Sequence, residues 1–336
     1  MGKILFVGGS GVVGQQMVRA FRDRHPEPPI LIGGRDVGKA DVIARDVGYA
    51  DAVEVDTQRK RLGLHPDTPI SAVVMLAPDS GLHGMRLAQD LQIPYMSIGN
   101  WLIEVGAEMA HFISRPDASP VVLSSHWHGG PTVFLAMASV EGLDVVHSIK
   151  VGAIIDDLDP TGPAAQEDME VGAEGVSNVL GFQNGRRVWL RGKTARREIA
   201  AVDGRIFSAS AFAPYDIVSL HAATGAREVR FDLASGVSSS RVRGGDVGTE
   251  VILEIEGEIN GQLTRRRSTI EFTKGQAKLT GLSAALSLSI VLGLEGRPAF
   301  PPGLYFPEQL MDHNWFLPEL VKAGATVNVD LNPRRH

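Results

Sequence analysis

The chain contains no cysteine among its 336 residues. This absence excludes disulfide bonds, thiolate metal sites and a cysteine nucleophile. Long apolar runs are also absent: the most apolar late segment, residues 279–294, is too short and too rich in serine and glycine to span a bilayer, and we interpret it as a buried helix. The first apolar run is short and leads directly into a glycine motif, so we expect no signal peptide and a cytoplasmic protein.

The chain also lacks an excess of positive charge. It has 33 Lys and Arg against 39 Asp and Glu, a formal net charge of -6 and 43% hydrophobic residues, which is typical of an ordinary globular protein. The basic run Arg265-Arg266-Arg267 is interpreted as the exposed part of a strand. We therefore expect neither a nucleic-acid partner nor a membrane partner, and the length allows two domains.

Glycine, by contrast, forms a motif at the N-terminus. The apolar run Lys3–Val7 predicts a buried strand and Gln15–Phe21 predicts a helix, so Gly9-x-Gly11-x-x-Gly14 has the strand–turn–helix context of a dinucleotide-binding site. These glycines permit a tight turn, a close approach of the pyrophosphate and close packing of the helix on the strand. The alternative is a glycine-rich turn without a ligand. The residues expected to contact the cofactor are Gly8, Gly9, Ser10, Gly11, Val12, Val13 and Gly14.

The end of the second predicted strand indicates which dinucleotide binds. An NAD-specific site usually places Asp or Glu here for the ribose hydroxyls, but this strand ends in Gly33-Gly34 and is followed by Arg35. A guanidinium suits a 2′-phosphate, so Gly34 and Arg35 favour NADP(H) over NAD(H). Asp36 argues in the other direction, and a solvated loop cation is the alternative interpretation of Arg35.

Strand and helix signals alternate through roughly the first 135 residues. We predict six strands, the last four within 52–56, 70–78, 95–99 and 121–124, which make a Rossmann domain with a doubly wound parallel sheet. In such sheets ligands lie outside the carboxyl ends of the strands. The further residues expected to border the cofactor are Asp56, Leu76, Ala77, Pro78, Gly99, Asn100 and the segment from Ser124 to Gly130.

After His147 the pattern changes to alternating strands. They are predicted near 148–155, 187–190, 228–233, 250–259 and 268–272, with one helix near 164–180. This pattern predicts an α+β substrate or dimerisation domain with an antiparallel sheet over 136–275. Residues 276–336, comprising the buried helix, a loop at 301–308, a short helix and a final strand, are expected to return to the Rossmann domain of residues 1–135.

Several motifs spread over nearly the whole chain point to one family. They are the glycine motif, Gly34-Arg35 with Lys39-Ala40, Leu76-Ala77-Pro78 with Ile93-Pro94-Tyr95, Gly130-Pro131, and the segment Pro302 to Leu310. In these motifs the chain resembles the saccharopine dehydrogenase family of NAD(P)-dependent oxidoreductases, in its short single-chain form. The resemblance implies a redox step at a C–N bond of an amino acid or amine, although some relatives reduce other double bonds.

The segment His126-Trp127-His128-Gly129 departs from any pattern of that family. If its backbone stays extended, His126 and His128 point to one face beside the nicotinamide end of the cleft. An imidazole there can transfer the proton that accompanies hydride transfer, and His128 is the first choice as donor. A structural pair is the alternative, and a metal pair is disfavoured because the sequence offers no third ligand.

Two further segments contain candidate catalytic groups. Asp156 and Asp157 lead into Pro160-Thr161-Gly162, a turn that suits a substrate carboxylate, while the aspartates suit an amine; capping of a helix is their alternative role. His83 follows the fourth strand, where the nicotinamide ribose should pass, and Asp79 beside it is either a cleft residue or a helix cap.

The sequence therefore predicts an NADP-dependent oxidoreductase acting on a C=N or C–N bond of an amino-acid-like or amine substrate. A C=C (enoyl-type) reductase of the same fold and a non-catalytic NADP-binding redox sensor are the alternatives. A short-chain dehydrogenase is excluded, because no tyrosine has a lysine four positions later. An antiparallel sheet with alternating faces often provides a dimer surface, so we also expect a homodimer.

Overall fold

The computed structural model describes residues 2–98, 102–162 and 178–331. They form two compact units. The parallel-sheet unit comprises Met1–Gly129, Thr161–Ala165 and Thr280–Met311, and the mixed-sheet unit comprises Gly130–Pro160, Gln166–Leu279 and Asp312–His336. Each unit is thus assembled from segments that are far apart in the chain.

The described elements alternate along the first third of the chain and become mostly strands afterwards. The strands are β1 Lys3–Val7, β2 Ile30–Gly34, β3 Ala50–Glu54, β4 Ile70–Met75, β5 Tyr95–Ser97, β6 Pro120–Leu123, β7 Val145–Asp156, β8 Val179–Gln183, β9 Arg186–Leu190, β10 Arg196–Ala200, β11 Ile206–Phe212, β12 Glu228–Gly236, β13 Thr249–Ile259, β14 Gln262–Phe272, β15 Gly303–Tyr305 and β16 Ala325–Asn328. The helices are α1 Val12–Arg24, α2 Val37–Val47, α3 His83–Leu91, α4 Leu102–Ile113, α5 Pro131–Val140, α6 Asp216–Thr224, α7 Ser239–Val242, α8 Gln276–Val291, α9 Pro307–Leu310 and α10 His313–Lys322.

The parallel-sheet unit is built on seven strands in the order β15-β6-β5-β4-β1-β2-β3. Every neighbouring pair in this sheet is parallel. Helices cover both faces of a parallel sheet, so its strands are near-continuous apolar runs. In β1, four of the five residues are buried. Helix α1 packs its buried residues Met17, Val18 and Phe21 on this sheet, with the Phe21 ring 5.8 Å from the ring of Phe6.

The mixed-sheet unit contains nine strands, with β10-β11-β12-β7-β13-β14-β16 in order, β8 paired with β12, and β9 paired with β8. Strands β7 and β12 are parallel and the other neighbours are antiparallel. Two of its hairpins turn at Asn-Gly pairs, Asn184-Gly185 and Asn260-Gly261, in which all four residues have positive φ. Such two-residue turns match the twist of the flanking strands and fix the register of each hairpin.

The predicted fold class, a Rossmann sheet with a second α+β domain, is confirmed. Two details differ from the pattern expected from the sequence. Strand β15 lies within the predicted loop at 301–308; it has only three residues, and prolines on both sides obscure it. Within the tail expected to return to the Rossmann domain, residues 280–311 belong to the parallel-sheet unit, whereas strand β16 pairs with β14 of the mixed sheet. The helix predicted near 164–180 falls almost wholly outside the described residues.

Among the described helices, none combines the length and the apolar character that crossing a bilayer requires.

Candidate functional site

The turn between β1 and α1 leaves no room for side chains at its glycines. A Cβ atom added to Gly14 would lie 2.1 Å from the carbonyl oxygen of Gly8, and Gly8 itself has φ +82°, which favours glycine. The amide of Gly11 donates to the carbonyl of Gly8 over 2.9 Å and so closes the turn. Gly11 precedes α1 without capping it by a side chain, so the first N–H groups of this helix keep the arrangement that binds phosphate in dinucleotide sites.

This turn lies where the strand order of the sheet reverses. The chain runs from β1 outward through β2 and β3 on one side and through β4, β5 and β6 on the other, and ligands of doubly wound sheets bind at such a point. Residues after β4 contact the turn directly: a Cβ on Gly8 would lie 3.1 Å from the Leu76 carbonyl oxygen and 3.2 Å from the Ala77 Cβ. Pro78 follows them and is exposed.

The end of β2 also meets the glycine turn. A Cβ on Gly34 would be 3.5 Å from the Ser10 Oγ, which brings the next residue, Arg35, to the rim of the turn. Asp36 is occupied: its Oδ1 accepts the Lys39 amide over 3.1 Å and caps α2. Arg35 is exposed and forms no ion pair with any residue that the structure describes. The arrangement therefore leaves the guanidinium available and uses the neighbouring carboxylate for capping.

The remaining residues expected at the cofactor are Asp56, Gly99 and Asn100. Asp56 follows β3 and β3 lies beside β2, but its Oδ1 accepts the Gln58 amide over 2.9 Å, which stabilises a local turn. Gly99 and Asn100 lie outside the described residues. Gly162 is close to the glycine turn, because a Cβ added to it would be 3.4 Å from the Cβ of Val12. Gly162, the last residue of the predicted Pro160-Thr161-Gly162 turn, therefore lies close to the first residue of α1.

His128 is buried and does not lie on an extended backbone. The segment Trp127–Gly129 forms a 3-10 turn in which His128 has φ 53°, so the condition for His126 and His128 to share one face does not hold. The imidazole is 6% exposed, and its Nδ1 is 3.2 Å from the Thr280 Oγ1. Burial disfavours the charged imidazolium and lowers the pKa of His128 to about 3. The ring is therefore neutral near pH 7.

His126 lies next to a carboxylate that the sequence analysis did not identify. Its Nε2 is 3.5 Å from the Glu308 Oε2, close enough for an ion pair when the imidazole is protonated, and its ring meets the edge of the Phe306 ring. The His126 side chain is fully buried and that of Glu308 is 10% exposed. Because β15 is parallel to β6, both residues follow strands that end at the same edge of the sheet as the glycine turn.

Asp79 caps helix α3, which is the alternative role given for it above. The Asp79 carboxylate accepts the amides of His83 and Gly84, each over 2.7 Å, and thereby stabilises the first turn of α3. Burial raises the pKa of Asp79, and these hydrogen bonds oppose the rise. His83 is the first residue of α3 and is half-buried, with its ring beside Gly81.

The aspartate loop belongs to the mixed-sheet unit and is committed to arginine and backbone groups. The Arg241 Nε donates to the Asp156 Oδ2 over 2.8 Å, and another nitrogen of Arg241 contacts Asp157. Burial alone would raise the pKa of Asp156, but hydrogen bonds from Ser238, Leu158 and Arg241 outweigh it and lower the pKa to about 2. Neither carboxylate is therefore a ready partner for a substrate amine.

No group of three or more His, Asp or Glu side chains that could hold a metal ion occurs within residues 2–98, 105–162 and 178–331.

The chain is similar in fold to known dehydrogenases. No protein-family model matches it, and no curated protein matches it by sequence. It is similar to apo histidine-tagged saccharopine dehydrogenase (L-Glu forming) from Saccharomyces cerevisiae, with a TM-score of 0.67, 11% identity and coverage of 97% of this chain and 100% of that chain. Weaker likenesses are GenD2 from gentamicin A biosynthesis in complex with NAD (TM-score 0.47, 12% identity, 97% of each chain) and a myo-inositol dehydrogenase from Corynebacterium glutamicum (TM-score 0.46, 12% identity, 99% and 100%). The likeness to saccharopine dehydrogenase confirms, for the fold, the resemblance found in the sequence.

Proposed function

We propose that this chain is an NADP-dependent oxidoreductase of the saccharopine dehydrogenase type. The observation that carries the proposal is the glycine turn at the point where the strand order reverses, where a Cβ on Gly14 would lie 2.1 Å from the Gly8 oxygen. Because these glycines carry no side chains, the backbone of the turn and the start of α1 can be approached closely by a pyrophosphate. When bound, the nicotinamide supplies or accepts the hydride; the protein binds and orients the two reactants and moves the proton.

The preference for NADP(H) rests on Arg35 and Asp36. A carboxylate pointing at the ribose would repel a 2′-phosphate, but Asp36 accepts the Lys39 amide at the start of α2. Arg35 has no ion-pair partner among the described residues, so it can form a charge-assisted hydrogen bond with the phosphate without breaking an existing pair. Gly34, beside Ser10, adds no side chain that would obstruct this contact.

For proton transfer we propose the pair His126–Glu308 in place of His128. Burial lowers the pKa of His128 to about 3 and disfavours its protonated form near pH 7, which argues against this residue as the acid. The carboxylate of Glu308, 3.5 Å from His126, stabilises a protonated imidazole and can pass the proton on, since it is the more exposed member of the pair. His126 would then hold the proton and Glu308 would orient and relay it.

A C=N or C–N bond of an amino-acid-like substrate remains the first proposal, and it is supported by the family resemblance in the sequence. A C=C reductase is the second candidate. It is favoured by the ion pairs of Arg241 with Asp156 and Asp157, because they engage the two carboxylates that had suggested an amine substrate. A homodimer and a cytoplasmic location are further parts of the proposal that derive from the sequence.

Turnover of the full chain tests the proposal. We would follow NADPH absorbance with cyclic imines and mixtures of amines with 2-oxo acids, and separately with enoyl compounds. His126→Gln and Glu308→Gln should bind NADPH normally yet lose roughly 10²–10⁴-fold in the single-turnover step, the usual contribution of a positioned acid or base. His128→Gln is the matched control and should retain that step.

Each result has a distinct meaning. Loss of the step in His128→Gln with normal rates in the other two variants would overturn the proton-transfer assignment. Tight NADPH binding with no oxidation by either substrate class would instead favour the redox sensor. Oxidation only by enoyl compounds would favour the C=C reductase.

A further inference from the structure

The hairpin of β8 and β9, with the turn that follows it, forms a strongly basic segment. Residues 183–197 contain six Arg and Lys and no Asp or Glu, in a chain whose formal net charge is -6. We call this segment the basic ribbon. The run Arg265–Arg267 differs from this segment, because Arg266 donates to the backbone carbonyls of Ser139 and Glu141.

Most cations of the basic ribbon are exposed and have no ion-pair partner among the residues that the structure describes. Arg197 is paired with Asp232 and Glu254. The other five are exposed, and none forms an ion pair with another described residue; they are Arg186, Arg187, Arg191, Lys193 and Arg196. Neighbouring cations repel one another, so this surface favours a partner with many negative charges.

An exposed tryptophan lies among these cations. Trp189 is 65% exposed, whereas Val188 and Leu190 on the opposite face of β9 are half-buried. Because side chains alternate along a strand, Arg187, Trp189 and Arg191 share one side of the ribbon. Large exposed aromatic side chains are unfavourable in water and are enriched where one part of the ring meets an apolar phase and another part meets water.

A groove of about 290 Å³ runs beside the basic ribbon within the same unit. Lys150 and Arg196 line it together with the apolar side chains Phe182, Val188 and Leu190. Arg230 also lines the groove but is paired with Asp232, and Glu228 is the carboxylate at its wall. Val188 and Leu190 place this groove on the face of β9 opposite Trp189, so it is not part of the face that carries the tryptophan.

We propose that the face of the basic ribbon carrying Arg187, Trp189 and Arg191 is a docking surface for a membrane rich in anionic phospholipid. Arg187 and Arg191 attract the phosphate-bearing surface and Trp189 enters the interface. A single-stranded nucleic acid also combines cations with aromatic stacking, but it requires several aromatic platforms along the strand. The ribbon presents one exposed aromatic ring, which favours the lipid surface. This proposal departs from the expectation that the chain has no membrane partner.

Co-sedimentation of the full chain with vesicles tests this proposal. Binding is expected on phosphatidylcholine vesicles that contain phosphatidylglycerol but not on pure phosphatidylcholine, and it should weaken as salt is added. The double variant Arg187→Gln/Arg191→Gln should bind roughly 10- to 30-fold more weakly, since each interfacial cation contributes about fivefold. The matched control is Arg45→Gln/Lys322→Gln, which removes the same charge from side chains that are 78% and 71% exposed elsewhere.

Fluorescence identifies the contact itself. Vesicles should shift the tryptophan emission of the wild-type chain to the blue, and Trp189→Phe should abolish the shift. Equal binding to both kinds of vesicle, or a basic-ribbon variant that binds like the control, would overturn the proposal. Binding of labelled single-stranded DNA without binding of vesicles would overturn it in favour of a nucleic-acid surface. NADPH titration of the same variants should match wild type, which shows that they fold and separates this test from that of the proposed function.

Discussion

At the scale of single residues, His126 and His128 show how two neighbouring histidines differ in chemistry. His128 lies in a 3-10 turn against Thr280, and burial lowers its pKa to about 3. His126 lies against the carboxylate of Glu308. The spacing of the two histidines is visible in the sequence, but Glu308 lies far along the chain and meets His126 only because β15 pairs with β6. No local pattern could have identified this pair.

The low pKa of His128 predicts acid sensitivity. In the unfolded chain this imidazole binds a proton near pH 6.5, whereas in the folded chain it stays neutral down to about pH 3. Its contribution to stability is therefore fully present above about pH 6.5 and falls as the pH is lowered toward 3. Urea unfolding should show that wild type loses about 2 kcal/mol more than His128→Gln between pH ~7.5 and pH ~5. Equal losses would contradict the buried, neutral state of His128.

At the scale of elements, two glycines determine how closely helices approach in the parallel-sheet unit. A Cβ added to Gly14 would lie 2.1 Å from the Gly8 carbonyl oxygen. A Cβ added to Gly281 of α8 would lie 2.6 Å from the Met17 amide nitrogen of α1. The sequence predicted the role of Gly14, since the motif has a fixed spacing within one strand–turn–helix segment. The role of Gly281 could not be predicted, because its partner helix is near the other end of the chain.

Gly14→Ala should therefore abolish detectable NADPH binding, because the methyl group forces α1 away from the glycine turn. Gly106→Ala is the matched control: an added Cβ there meets nothing within 4 Å, and it should raise the stability by about 0.4–1 kcal/mol. Fluorescence titration and thermal unfolding of both variants would check this. Normal cofactor affinity in Gly14→Ala would contradict the proposed role of the turn.

The hairpins show which elements the sequence could have predicted more fully. The pattern indicated one strand near 187–190 and a pairing run near 268–272, but β8 and the first half of β14 were missed. Asn184-Gly185 and Asn260-Gly261 are strong signals for two-residue turns, and each would have added a partner strand with a fixed register. The crossing of the chain between units at residues 279–280 and 311–312 has no comparable local signal.

At the scale of the whole molecule, each unit depends on the C-terminal quarter of the chain. Strand β15 completes one edge of the parallel sheet and β16 completes one edge of the mixed sheet. A chain that ends after Gly275 should therefore lose the cooperative thermal transition and become sensitive to protease in both units. A chain that ends after Leu331 is the control and should unfold like wild type. Survival of either sheet in the shorter chain would contradict this dependence.

The central claim is that Arg35 binds the 2′-phosphate of NADP(H), and a cofactor titration tests it most directly. The contact is expected to contribute about 1.5–3 kcal/mol, so wild type should bind NADPH roughly 10- to 150-fold more tightly than NADH. Arg35→Ala should lose this difference and leave NADH affinity unchanged. Asp36→Asn is the control, since an asparagine can still cap α2. Equal affinities for the two cofactors in wild type, or unchanged NADPH binding in Arg35→Ala, would contradict the account.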